Sequence, residues 1–153
     1  MGIKANFTRA DVDKRFKAFL DEIEKKQIAR LQMLGEMCVN HARNVPASQG
    51  FQDQTGNLRS SIGYMVFNDG VAVHVAYEQV KSGSEGAIKG ESLARKVGEK
   101  STGISLVVTA GMEYALYVES KGRDVISSAE KMAERELPRM LEKLVSNIKK
   151  AAE

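Results

Sequence analysis

Apolar residues recur at three- and four-residue spacing from Val12 through Phe16, Phe19, Ile23, Leu31 and Leu34 to Cys38, so the opening segment reads as one amphipathic helix. Thr8 stands where an N-cap is needed and Asn44-Val45-Pro46 supplies a stop, which predicts a helix from Arg9 to Arg43. At 1.5 Å per residue it would reach roughly 50 Å, longer than the core of so small a chain requires, and part of it is expected to pack on another copy. Gly35 in its interior costs about 1 kcal/mol relative to Ala and marks a bend or a close approach by a neighbour.

The period then changes. After a polar loop, Ala47 to Gln54, the residues Ile62, Tyr64 and Val66 alternate with Ser61, Gly63 and Met65, as in a half-buried strand. Asn68-Asp69-Gly70 turns the chain, with Gly70 suited to a positive φ. Val71, Val73, Val75 and Tyr77 alternating with Ala72, His74 and Ala76 complete a hairpin. A third strand is predicted over Ile104–Ala110, in an antiparallel sheet of three or four strands. Lys81 to Gly103 is dense in Gly, Ser, Lys and Glu and reads as a long mobile arm at about 81–103.

Tyr114, Tyr117 and Val118 sit at helical spacing in a short segment that Lys121-Gly122-Arg123 interrupts. Ser127 and Glu130 match a capping box opening a last helix to about Ala152, striped by Met132, Leu137, Leu141, Leu144, Val145 and Ile148 and expected to kink at Pro138. The order predicts an α+β fold in which the long N-terminal helix and the C-terminal helix lie on one face of the antiparallel sheet. Residues 1–153 read as a single domain.

Composition narrows the function. The chain has 153 residues, 42% hydrophobic and 28% charged, which is globular, and a net charge of only +3, which does not by itself predict a nucleic-acid binder. Cys38 is the one cysteine, so no internal disulfide forms and a reducing cytosol is expected. Met1 to Ala10 lacks the apolar run of a secretory leader, and no stretch approaches the roughly 18 apolar residues of a membrane span. Trp is absent and aromatics are 6%, which disfavours a stacking platform for bases or sugars.

Candidate chemistry is sparse. Cys38 and His41, three apart on a helix, have the spacing of a thiol and its base, but a cysteine on an apolar stripe reads as a small hydrophobe. A hydrolase built on that pair ranks third among the readings. With one Cys and two His no spaced zinc set exists, and no metal or cofactor is expected. Glu113 and Glu119, six apart on a helix, diverge where paired catalytic carboxylates would converge. No catalytic residue is assigned, and the chain is read as a non-enzyme. Gly83-Ser84-Glu85-Gly86 has the bare Gly-x-x-Gly of a nucleic-acid clamp, though between strands. Lys81, Lys89, Arg95, Lys96 and Lys100 exceed the acids of the arm by two, enough for loose phosphate contact. A small nucleic-acid-binding module using this arm with Lys149 and Lys150 is the alternative reading.

Two segments carry more. Thr55-Gly56-Asn57-Leu58-Arg59-Ser60-Ser61-Ile62 leads from the long helix into the first strand, and Tyr114-Ala115-Leu116-Tyr117-Val118-Glu119 follows the third. In order and spacing they resemble the head-tail joining, or tail-completion, proteins of long-tailed bacteriophages and prophages. The chain departs from that pattern at Gln54, where an acid usually precedes the Thr, at Ser120-Lys121-Gly122, and in lacking the Pro-Phe pair that often opens the last helix.

The resemblance implies a structural protein of the virion neck, made in the bacterial host cytoplasm. It would form a homo-oligomeric ring, typically a hexamer, between the connector or stopper and the tail-tube or tail-terminator proteins, with weak non-specific contact to genomic DNA and none to membrane. Physically, Gly56 permits a tight turn that Thr55 caps, Leu58 anchors it in the core, and Arg59 is expected to project outward. Tyr114, Tyr117 and Val118, beside Ala115, are expected to pack the second turn on the sheet, leaving Glu119 free for a basic group on a neighbouring copy.

Overall fold

In the computed structural model, which describes residues 2, 6, 8–46 and 48–152, the long helix α1 runs over Arg9–Arg43 as predicted. Ala47, at the head of the expected loop, and most of the first seven residues lie outside the described residues. Thr8 and Asp11 form a reciprocal capping box: Thr8 Oγ1 accepts the Asp11 N–H at 3.2 Å, and Asp11 Oδ2 accepts the Thr8 N–H at 2.9 Å. A short helix α2, Asn57–Ser61, leads into strand β1, Ile62–Asn68, which turns at Asp69-Gly70 into β2, Val71–Ala76. Strand β3, Ile104–Ala110, completes an antiparallel sheet of order β2-β1-β3.

The segment expected to be an irregular arm is instead helix α3, Ser84–Gly98. Its small residues Gly86, Gly90, Ala94 and Gly98 recur every four positions and are all buried, so one face of the helix is bare backbone. A Cβ on Gly86 would stand 1.9 Å from the Asn57 carbonyl oxygen, and one on Gly98 2.0 Å from the Phe67 ring. Glycine is weak helix-forming sequence in isolation, yet here it lets α3 settle directly onto α2 and the sheet.

Helices therefore cover both faces of the sheet, where one covered face was expected. Ile62, Tyr64 and Val66 join Leu34, Cys38, Val39 and Ala42 of α1 in the main core, while the alternate residues Met65 and Phe67 pack with Ala94 of α3. Strand β1 is accordingly buried on both sides instead of half-buried. Gly35 marks a close approach: a Cβ there would lie 2.4 Å from the Tyr64 ring. The polar loop also contributes to the core, through Phe51 and the buried Asp53.

Helix α4, Ala115–Ser120, follows β3, and α5 runs over Ser127–Ala152, continuing as one helix across Pro138. It starts beside the end of α1, where Cys38 Sγ lies 3.8 Å from the Ala129 carbonyl oxygen and His41 Nε2 is 2.8 Å from Ser128 Oγ. Ser127 is its first helical residue and not its cap, since the groups that satisfy this terminus come from Glu119 and Asp124.

Candidate functional site

The Thr55-to-Ile62 motif is a helix-capping turn organised by a residue outside it. Gly56 has φ 84°, and the space its Cβ would need is occupied by the Val80 carbonyl oxygen, 2.1 Å away, so glycine is required twice over. Asp53 is the cap: its two carboxylate oxygens accept the Gly56 N–H at 3.0 Å and the Arg59 N–H at 2.8 Å. Thr55 has the smaller part of accepting the Asn57 N–H at 3.2 Å. Leu58 is buried as expected. Arg59 does not project outward; its Nε donates to the Arg43 carbonyl at 3.3 Å and its guanidinium lies 5.0 Å from the centre of the Phe51 ring.

Arg43, which the sequence did not single out, ties the same corner together. Its Nη2 donates to the carbonyls of Ile62 at 2.8 Å and Glu78 at 3.2 Å, while its buried Nε has no partner among the described residues. Burial lowers its pKa, opposed by the charges of Glu78 and Glu36. Two turns earlier on α1, Glu36 Oε1 accepts the Tyr64 hydroxyl proton at 2.8 Å, and the same hydroxyl is 3.0 Å from His74 Nε2.

The second motif divides differently from the expectation. Ala115 and Val118 pack into the core, but Tyr114 is 41% exposed and Tyr117 63%, so the tyrosines face outward with Leu116. The Lys121 ammonium sits over the Tyr117 ring at 5.2 Å. Glu119 is not free: its carboxylate accepts the backbone N–H groups of Val125, Ile126 and Ser127 at 3.3, 3.2 and 3.0 Å. Both motifs are thus capping devices that set the angles at which α2 and α5 leave their turns.

The exposed apolar surface lies elsewhere. Residues 9–22 of α1 are exposed throughout, and Val12, Phe16 and Leu20 are 47%, 62% and 47% accessible. Only the C-terminal part of α1 is built into the core.

A family model described as "Bacteriophage HK97-gp10, putative tail-component" matches residues 10–120, most of the chain. The chain belongs to the HK97-gp10-like family. No curated protein and no solved structure is significantly similar to it. The match takes in α1 through α4, including both capping motifs, while α5 lies beyond it. Membership makes the chain a structural tail component of a bacteriophage, and so a virion-associated protein.

For a tail component, most of the positions first weighed for other chemistry have structural partners. Lys81 Nζ donates to the Asp53 carbonyl at 3.0 Å, Lys89 pairs with Glu85 at 3.0 Å and Glu113 at 3.6 Å, and Arg95 pairs with Glu91 at 2.7 Å. Lys96 and Lys100 are exposed and have no ion-pair partner among the described residues. The Gly83-to-Gly86 sequence opens α3 against α2, with Gly83 2.3 Å from the Gly56 carbonyl oxygen at its Cβ position, so no open clamp exists there. Cys38 and His41 turn to different partners on α5, and burial pushes the Cys38 thiol above its ordinary 9.0. Among the described residues no group of three His, Cys, Asp or Glu is arranged to hold a metal, and no helix is long and apolar enough to cross a membrane.

Proposed function

We propose that this tail component acts at the head-tail junction, as a ring of copies around the path of the genome between the connector or stopper and the tail tube or tail terminator. The observation that carries the reading is the N-terminal half of α1, where Val12, Phe16, Phe19 and Leu20 find no cover among the described residues. An amphipathic helix of that kind is stable in water when a second surface buries its stripe, and in a homo-oligomer that surface is another copy. Six copies are proposed from the resemblance to tail-completion proteins.

The outward tyrosines at α4, Tyr117 within it and Tyr114 at its N-cap, are suited to a partner protein, since aromatic side chains give large contact area at low entropic cost. Contact with DNA in the lumen would be weak and non-specific, through cations such as Lys96 and Lys100. The test is deletion of the gene from its phage. Filled heads and complete tails that fail to join are expected. Normal joined particles would overturn the reading, and tails of altered length on joined heads would move the protein into the tail proper.

A further inference from the structure

The groove between α1, α5 and β3 has a volume of about 660 Å³ and is walled by Leu31, Leu34, Ile104, Leu106, Val108 and Leu137. β3 is an edge strand, so no further strand closes the groove. On its α5 rim stand Glu130 and Glu134, both exposed and without an ion-pair partner among the described residues.

The exposed stripe of α1 has the opposite character. Val12, Phe16, Phe19 and Leu20 lie on one side of the helix at three- and four-residue spacing. At 3.6 residues per turn, Arg9, Arg15 and Lys26 border that stripe, with Asp13 the nearest acid. The three cations also lack ion-pair partners among the described residues.

We propose that the N-terminal half of α1 from one copy docks in the α1–α5–β3 groove of the next, with Phe16 and Leu20 in the groove and Arg15 and Lys26 towards Glu130 and Glu134. The inference rests on the ring reading and names the contact that would build it. The stripe cannot fill its own groove, because the same helix supplies the groove wall at Leu31 and Leu34 and would have to fold back on itself. Each copy carries one donor and one acceptor at different places, so copies can join head to tail, the kind of contact that closes into a ring when its rotation divides a full turn. An apolar centre flanked by complementary charge fixes which way the helix lies in the groove.

The test is cross-linking in particles assembled in cells that supply two tagged variants together, Phe16→Cys and Ala133→Cys, with the buried Cys38 left in place. Oxidation is expected to join the two variants to each other, and wild-type copies not to join at all. A second arm uses charge: Lys26→Glu should raise the concentration needed for assembly by about tenfold, and adding Glu134→Lys should restore it. If particles contain several copies but Phe16→Cys and Ala133→Cys do not join, the docking inference falls and the ring remains. If particles contain a single copy, both fall.

Discussion

Glu119 caps the C-terminal helix at Ser127, its Oε1 accepting the Ser127 N–H at 3.0 Å, while Oε2 takes the N–H groups of Val125 and Ile126. A carboxylate at a helix N-terminus satisfies donors that the helix itself leaves unpaired and offsets the positive end of its dipole. Glu119→Ala is therefore expected to lower the stability of the isolated protein by about 1–2 kcal/mol, and Glu119→Lys by more, since it adds a cation to the same site. Urea unfolding checks this. Unchanged stability with failed assembly would return Glu119 to the interface role that its sequence position first implied.

Gly86 offers a sharper test of α3. Replacing a helical glycine by alanine ordinarily stabilises by about 1 kcal/mol. Here the new methyl would meet the Asn57 carbonyl oxygen at 1.9 Å, so Gly86→Ala is expected to destabilise by about 1–3 kcal/mol as α3 is levered off α2. Hydrogen exchange should show the central amides of α3 protected in the wild type and exchanging faster in the variant. A stabilised Gly86→Ala would mean that α3 is not docked.

What the chain disclosed by pattern alone divides along a physical line. Thr8, the run from Val12 to Cys38 and Pro46 set the limits of α1, and alternation set the strands, because each signal is local and strong. α3 was hidden because glycine reads as a loop former, and its four-residue recurrence has meaning only once a neighbouring backbone is there to be approached. Missing α3 left the second face of the sheet bare and made β1 look half-buried. The roles of Asp53 and Glu119 were illegible for a related reason: a cap six to eight residues away from the amides it holds depends on how a turn folds, not on spacing within a helix. The uncovered half of α1, by contrast, followed from helix length alone.

Cys38 is expected to be inert. It is 2% exposed, and burial raises its thiol pKa, so little thiolate forms at neutral pH. Alkylation with iodoacetamide should be slow in the native protein and fast in denaturant. Cys38→Ala should cost about 1 kcal/mol through the smaller core residue and leave particle assembly intact. Rapid native labelling, or loss of assembly at unchanged stability, would reopen a chemical role.

Tyr77 sets an alkaline limit. Thr109 Oγ1 donates to the Gly90 carbonyl at 3.0 Å, which commits the threonine proton and makes Tyr77 the donor in the hydrogen bond between the two hydroxyls. This chain links the residue after β2 to β3 and α3. Burial raises the Tyr77 pKa from 10.0 to about 12, and the charge of Glu91 adds to the shift. A folded value above the unfolded one means that the contribution of Tyr77 to stability is fully present below pH 10 and is lost as pH rises from about 10 towards 12, where the unfolded chain releases the proton and the folded chain still holds it. Burial also raises Tyr64, so the wild-type decline has more than one source and the difference between proteins is the quantity to read. Tyr77→Phe should cost about 1 kcal/mol at neutral pH, from the lost hydrogen bond, and its stability should then fall less steeply than the wild type above pH 10. Denaturant unfolding of both proteins from pH 8 to pH 11.5 measures the two slopes. Parallel slopes through that window would show that the Tyr77 proton is not held by the fold.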